Sequence, residues 1–494
     1  MDEGVNLVLL LACIVLLVSV VAVRLSSRTG LPVLLVYLAV GLVVGEAGLG
    51  FEFTDYQLTA DLGLIALAII LAEGGLTTRW STIRPVLPHA LVLATLGVGV
   101  TVGVVAAAGH LLLGLDLRTA VILGAVIGST DASAVFSVLR RLPLRSRVAA
   151  TLEGESGLND APVAVLVVLA SSDAWASTSL WAGLGGVAFQ LLAGALLGLV
   201  FGRLGRELLM RVALPSAGLY PLATLAIVLL AYSGTTALGA SGFMAAYLSG
   251  LVLGNSRLPH QRSVFGFVGS LALMAEVGLY VLLGLLASPA RLPDAVPLAL
   301  VIGLVLVLVA RPLAVLVSLV PLRVPWREVG FVSWAGLRGA VPIVLTTIPI
   351  TQRVPEAERV LDVVFVLVVV YTIAQAPTLP LAGRLLRVVE PAQVRDLEVE
   401  AAPLEDLRAD LVRVTVGPGS RLHGVYVDEL RLPAGAQVTL IVREGKSFVP
   451  GPHSHLLTGD SALIVVPSEL RAEAEDRLRA VAKGGKLARW LGEA

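Results

Sequence analysis

The sequence predicts an all-α polytopic membrane protein of about thirteen transmembrane helices, followed by a small cytoplasmic α/β domain at the C-terminal end. Three observations carry this prediction. Hydrophobic residues make up 56% of the 494-residue chain and charged residues only 15%, at a mean hydropathy of +0.90. Runs of about 20 apolar residues, each long enough to cross a hydrocarbon core, recur up to about position 388. After about residue 390 the composition turns abruptly polar and acidic, and short runs of alternating polarity follow.

The spans fall at about 5–23, 32–48, 58–76, 86–113, 118–140, 147–171, 180–203, 215–234, 239–254, 263–288, 296–321, 329–350 and 359–387. The first follows Asp2 and Glu3 and lacks a basic leading segment, so it reads as a retained span rather than a cleaved signal. Cys13 is the single cysteine, which excludes an intrachain disulfide. The formal net charge of +0 argues against a nucleic-acid partner. Orientation follows from the arginines between the spans. One set of loops carries Arg24, Arg28, Arg79, Arg84, Arg140, Arg141, Arg145, Arg147, Arg203, Arg206, Arg211, Arg257, Arg262, Arg323, Arg327, Arg384 and Arg387, whereas the opposite set carries only Arg118, Arg291, Arg353 and Arg359. Basic loops stay in the cytoplasm, so the N-terminus is expected outside and the C-terminus inside.

The domain boundaries expected are a membrane domain over 1–390, a linker over 391–404, a cytoplasmic domain over 405–482 and a tail over 483–494. Within the cytoplasmic domain, Leu411–Val416, Gln437–Arg443 and Ala462–Val466 read as strands, Val425–Leu430 as a short helix and Ser468–Val481 as a charged terminal helix. The domain has no GxGxxG phosphate loop, which argues against classical dinucleotide binding.

Function is concentrated in a few ionisable residues at membrane depth, where burial is costly and an ionisable group marks a use. Asp131 and Asp160 lie near the middle of adjacent spans, and Arg338 near the middle of another. The fifth span is interrupted by Gly128-Ser129-Thr130-Asp131 and the twelfth by Gly336-Leu337-Arg338-Gly339-Ala340-Val341-Pro342. Such residues lower helix propensity and free backbone carbonyls to face a cavity. Broken helices at corresponding places in two halves point to inverted repeats with a binding site between them. Glycines at these places also suit close helix packing, but each break carries a charge as well.

On the sixth span Glu153, Ser156 and Asp160 share one helical face, while Glu155 and Asn159 pair on the adjoining one. The first stripe offers oxygens to a small cation. The second holds the scaffold, with Glu155 as the expected partner of Arg338. A purely structural cluster of buried ion pairs accounts for Glu155 and Arg338 but leaves Asp131 and Asp160 without cationic partners. A carboxylate so placed suits a cation and a proton competing for one position. Glu73 lies toward the cytoplasmic end of the third span, where it lines an ion entry or snorkels to the interface. Glu276, mid-span in the tenth segment, is assigned a structural hydrogen bond. No histidine pair has metal-ligand spacing within a span, so no cofactor is expected and no metal beyond a transported ion.

Ser129-Thr130-Asp131-Ala132, Glu155-Ser156-Gly157-Leu158-Asn159-Asp160 and Ser333-Trp334-Ala335-Gly336-Leu337-Arg338-Gly339-Ala340 together resemble the NhaP-type monovalent cation:proton antiporters, over essentially the whole membrane part. The closest likeness is to the bacterial potassium/proton branch with a C-terminal TrkA-C (RCK-C) domain, which fits 405–482. The resemblance implies a secondary transporter of the bacterial cytoplasmic (inner) membrane that exchanges K+, or Na+, for H+ by alternating access. It implies Asp160 as the exchanging carboxylate, Thr130, Asp131, Ser156 and Glu73 in the cation shell, and Glu155, Asn159 and Arg338 as the supporting network. It also implies a homodimer, an elevator-like movement of the core bundle, and a regulatory tail for which a nucleotide or cyclic dinucleotide is the expected ligand. Ala132 departs from the proline that commonly follows the aspartate.

Electrogenic members of the superfamily show two adjacent aspartates and an intramembrane lysine. Here the pair is Asn159-Asp160, and the only lysines are Lys446, Lys483 and Lys486, all in the tail. One carboxylate holding either one proton or one monovalent cation predicts electroneutral, one-for-one exchange. Two other classes compete. A gated cation channel needs a filter of repeated carbonyls, and no such repeat is visible. An intramembrane aspartyl protease needs a Gly-x-Gly-Asp context, whereas Asp160 follows Gly157-Leu158-Asn159.

Overall fold

In lipid, a backbone N–H or C=O has no partner but its own helix, and the apolar part of the chain folds accordingly. The computed structural model describes residue 10 and residues 13–21, 33–46, 48, 50, 53–139, 142, 144–389, 397–404, 409–417 and 420–485. The chain divides into two units, Met1–Val389 and Glu390–Ala494. In the first, the helices are α1 (Val33–Val44), α2 (Tyr56–Thr77), α3 (Trp80–Leu113), α4 (Leu117–Val126), α5 (Ala132–Val138), α6 (Ser146–Ser171) and α7 (Leu180–Arg211). They continue as α8 (Leu219–Ala237), α9 (Gly242–Gly254), α10 (Gln261–Leu286), α11 (Leu292–Leu319), α12 (Trp326–Trp334), α13 (Ala340–Thr351) and α14 (Ala357–Leu385).

Seven of these, α2, α3, α7, α8, α10, α11 and α14, are long and apolar enough to cross a membrane. Each expected span from 32–48 onward contains a helix or a broken pair of helices. The span expected at 5–23 is described only at residue 10 and over 13–21, where it is helical. Arg24, Arg28, Arg140 and Arg141 of the basic loops lie outside the described residues.

Between α7, α9 and α2 the helices meet at glycines, as expected where packing rather than the hydrophobic effect holds helices together. A Cβ on Gly194 would come within 2.5 Å of Ser241 O, and one on Gly198 within 2.7 Å of the Ala245 Cα. On the opposite side of α9, a Cβ on Gly250 would lie 2.8 Å from Ala72 O. Where α6 ends, Arg118 donates from Nε to Ala170 O (2.8 Å) and from Nη2 to Ser171 O (2.7 Å) and Ser172 O (3.0 Å). One guanidinium thereby satisfies three carbonyls left open where α6 ends.

The second unit is a five-stranded antiparallel sheet, β1 (Leu397–Leu404), β2 (Ala409–Val416), β3 (Gln437–Arg443), β4 (Lys446–Phe448) and β5 (Ser461–Pro467), in the order β1-β2-β5-β3-β4, with a terminal helix α15 (Arg471–Gly484). Val412, Val414, Ile441, Ile464 and Val466 meet Ala474, Leu478 and Val481 in its core. Three expectations are corrected here. Residues 397–404, assigned to the linker, form an edge strand in full register with β2, since a short β2 alone leaves one row of its backbone groups unpaired. The helix expected over Val425–Leu430 is a single 3-10 turn at Asp428–Leu430. The terminal helix begins at Arg471, because Pro467 is extended and Ser468–Leu470 forms a 3-10 turn. Of the linker, 391–396 lies outside the described residues, as do 405–408 of the cytoplasmic domain and 486–494 of the tail.

Asp460 pins this unit. Its carboxylate, 1% exposed, accepts from Arg443 Nε at 2.9 Å, Arg443 Nη2 at 2.8 Å and the Leu457 N–H at 2.8 Å. Burial alone pushes its pKa up, but the Arg443 hydrogen bonds, the Leu457 N–H and the positive charge of Arg443 together outweigh it and hold the carboxyl below the usual range. A depressed folded pKa contributes stability that is present above the unfolded value of about 3.9 and is lost as pH falls through the folded value. Asp460→Asn should therefore lower the stability of this unit by about 1.5–3 kcal/mol at neutral pH, and the deficit should shrink below about pH 4. Hydrogen exchange of β2, β3 and β5 in the full-length protein reads this directly. Equal protection in variant and wild type at pH 7 would remove Asp460 from this role.

Candidate cation site at the crossing of two broken helices

The interruptions expected from sequence are present. α4 ends at Val126 and α5 starts at Ala132, while α12 ends at Trp334 and α13 starts at Ala340. The two gaps pass against each other. The Asp131 N–H donates to Leu337 O at 2.8 Å. Arg338 Nη1 donates to Gly128 O at 3.0 Å and also to Ser129 O. Each broken segment thus supplies partners for the groups the other leaves open. Gly339 is required by this approach, since a Cβ there would strike the Asp131 carboxylate.

Asp131 caps α5. Its Oδ1 accepts from the Ser133 N–H (2.9 Å), the Ala134 N–H (3.2 Å) and Ser133 Oγ (2.6 Å), which is the role an aspartate plays best at a helix start. Its other oxygen, Oδ2, is the one that faces Gly339. Asp160, 6% exposed on α6, accepts from Ser129 Oγ at 2.5 Å. Among the described residues no basic side chain pairs with Asp131 or Asp160. The Asn159 amide donates to Thr130 Oγ1 at 2.7 Å, and Ser156 Oγ accepts from the Ala132 N–H at 3.2 Å. These bonds tie α6 to the gap between α4 and α5 at Ser129 and Thr130 and to the first residue of α5, Ala132.

The pairing expected for Glu155 is corrected. Its partner is Arg311, on α11, which forms two bonds to the carboxylate, Nη1 to Oε1 and Nη2 to Oε2, the second at 2.8 Å. Arg311 Nη2 also reaches Val332 O at 3.2 Å. Arg338 is instead taken up by the carbonyls at the crossing. Position 336 must be small for this, as a Cβ on Gly336 would lie 2.7 Å from Arg311 Nε. Arg311 was not singled out from sequence. Its signal was present, since Arg311 interrupts the aliphatic run from Val301 to Val320 as Arg338 interrupts its own. Ser129, quoted as part of the break but given no role, is the residue that touches Asp160.

A cavity of about 540 Å³ joins these residues. Asp160, Asp131, Thr130, Ser156 and Glu73 all line it, and Glu153 and Glu276 extend the acidic wall. It follows α2 from buried Leu67 to exposed Thr77, so it opens at the C-terminal end of that helix, next to Arg79. Glu155, Asn159 and Arg338 stand behind the wall. Glu276 was expected to hold a structural hydrogen bond; it faces the cavity, and among the described residues none is formed by its side chain. At the mouth Thr78 Oγ1 donates to Glu153 at 3.3 Å.

A helical membrane bundle whose two interrupted helices cross beside carboxylates lining a cavity defines an ion-coupled secondary transporter. Residues 14–383 match the family described as sodium/hydrogen exchanger, transmembrane, and the chain belongs to that family. Residues 411–479 match the TrkA-C domain. Among relatives, the K(+)/H(+) antiporter NhaP of Alkalimonas amylolytica is 36% identical, over 94% of this chain and 82% of its own length. The K(+)/H(+) antiporter NhaP2 of Shewanella sp. strain MR-4 is 34% identical, over 96% and 84%. The fold is shared with the sodium proton antiporter MjNhaP1 of Methanocaldococcus jannaschii, at a TM-score of 0.67 and 22% identity, covering 76% of this chain and 97% of that one.

Arg311→Met should destabilise the protein by about 3–5 kcal/mol, because it strands Glu155 as a buried unpaired charge. The double variant Glu155→Leu, Arg311→Met should recover much of that loss, since it removes both charges together. Thermal unfolding in detergent compares the three proteins, and a single variant as stable as the wild type would show that Glu155 is satisfied by other means.

Proposed function

We propose that this protein exchanges K+, and less readily Na+, for H+ across the bacterial cytoplasmic membrane, one ion for one proton. The carrying observation is that both buried arginines of the site are engaged elsewhere, Arg311 by Glu155 and Arg338 by the carbonyls of Gly128 and Ser129. Among the described residues, Asp160 is left at the cavity with a hydroxyl as its one hydrogen-bond donor. A carboxylate so placed binds a monovalent cation as the charged form and a proton as the neutral form, and the two occupants exclude each other.

In this reading Asp160 is the exchanging group. Thr130, Asp131 and Ser156 complete the cation shell, Glu73 contributes through water, and Glu155, Asn159 and Arg338, with Arg311, hold the frame. The preference for K+ is supported by the K(+)/H(+) names of relatives 34–36% identical to this chain. One charge carried each way makes the cycle blind to membrane voltage, otherwise worth about 2.3 kcal/mol per charge per 100 mV. The driving force is then set by the two gradients, each pH unit contributing about 1.4 kcal/mol.

With the basic loops inside, the cavity opens to the cytoplasm, and the other side is reached by alternating access as the crossing helices move against the remaining bundle. The two halves of the membrane unit are read as inverted repeats, with thirteen spans, the N-terminus outside and the TrkA-C domain inside. The protein works as a homodimer through the bundle outside the crossing, and the TrkA-C domain adjusts exchange on binding a nucleotide or cyclic dinucleotide.

Dye-monitored exchange in proteoliposomes tests this. Addition of K+ should drive proton efflux in the wild type and none in Asp160→Asn, with Na+ and Li+ weaker than K+. Build-up of a membrane potential during exchange would refute the one-for-one stoichiometry, and an active Asp160→Asn would refute the assignment of the carboxylate. Truncation after residue 400 should leave transport in place and alter its regulation. Complete loss of transport would make the tail structural instead.

A further inference from the structure

Gly157 follows Ser156 in the polar stretch of α6, and the exchange reading gives it no role. It lines the cavity. A Cβ there would lie 2.5 Å from Cε2 of Tyr247, 2.7 Å from Cζ and 2.8 Å from the phenol oxygen. The outer part of the Tyr247 ring, carried by α9, is therefore seated on α6 in a notch that any Cβ would fill. Tyr247 is 3% exposed and lines the same cavity. It also belongs to a small buried cluster with Ala90, Ala94 and Leu158, so the ring has packed core on one side and the cavity on the other.

The place of this contact gives it a use. Gly157 stands four residues after Glu153 and three before Asp160, a spacing that keeps all three on one helical face. At 1.5 Å per residue, the ring meets α6 about 6 Å beyond Glu153 and about 4.5 Å short of Asp160. Glu153 is at the mouth, so an ion moving inward along this face comes level with the ring before it meets Asp160. The backbone of α9 has little room to give way. A Cβ on Gly75 of α2 would strike Tyr247 O, and α9 packs as closely against Gly194 and Gly198 of α7. We propose that Tyr247, held in the Gly157 notch, forms the neck of the ion path and discriminates between alkali cations by size. The inference rests on the exchange reading above and adds a residue that acts on passage to Asp160 rather than on binding there.

Gly157→Ala adds one methyl to the notch and drives the ring toward the cavity, since the other side is packed. A methyl forced into so close a contact corresponds to about a tenfold change in rate. In proteoliposomes at sub-saturating ion, K+ exchange should slow by about that factor and Li+ exchange by less. Titration calorimetry of the purified protein should show the K+ affinity unchanged, because a neck hinders entry and exit alike. The double variant Gly157→Ala, Tyr247→Leu should recover the K+ rate. Wild-type rates in Gly157→Ala, equal slowing of both ions, an affinity that falls in step with the rate, or no recovery in the double variant would each overturn the proposal. Should Gly157→Ala fail to fold, Tyr247→Leu decides alone. It should raise the K+ rate relative to the Li+ rate at unchanged affinity, and a wild-type ratio would reject the neck. Asp160→Asn separates the two readings: if it still exchanges K+, the exchange reading fails. If it is inactive while Gly157→Ala matches the wild type, only the role of Tyr247 fails.

Discussion

The structure depends on one exchange of hydrogen bonds between two interrupted helices. Breaking a helix inside a membrane exposes backbone groups that lipid cannot satisfy. Here the deficit of each break is met by the other: the Asp131 N–H finds Leu337 O, and the guanidinium of Arg338 covers the carbonyls of Gly128 and Ser129. Arg338 is held at the crossing through Nη1 and does not line the cavity. The acidic wall keeps its negative character for that reason, and the frame behind it needs a second arginine.

That second arginine is Arg311, and its bidentate bond to Glu155 uses the planar fork that lysine lacks. The neighbouring residues on α6 then divide by direction. Glu155 and Asn159 turn to the frame, while Ser156 and Asp160 turn to the cavity. A helical turn is enough to separate scaffold from chemistry on one element. The same element is held at its far end by Arg118, so its position is fixed at both the crossing and the C-terminus.

Much of this was legible in the sequence, and the reasons are physical. Long apolar runs and mid-span charges are expensive, so their positions mark helices and site directly, as Asp131, Asp160 and the two breaks show. Helix periodicity separated the two faces of α6. Which arginine meets which acid was not legible, because Arg311 and Arg338 are both mid-span and the choice depends on the crossing geometry of distant helices. In the C-terminal unit the alternating strands were read correctly, but β1 was assigned to a linker, since its Glu398-Val399-Glu400-Ala401 pattern is too polar to announce an edge strand.

Asp131 belongs both to the cavity wall and to the start of α5. Asparagine serves as a helix cap about as well as aspartate, so the architectural duty at this position does not require a charge. Descendants of this chain have open to them a single-codon route on which the half-helix survives intact while the cavity becomes less negative. The fold is in that sense permissive about valence at position 131 and strict about shape, and divergence in ion chemistry among such proteins can proceed without any redesign of the bundle.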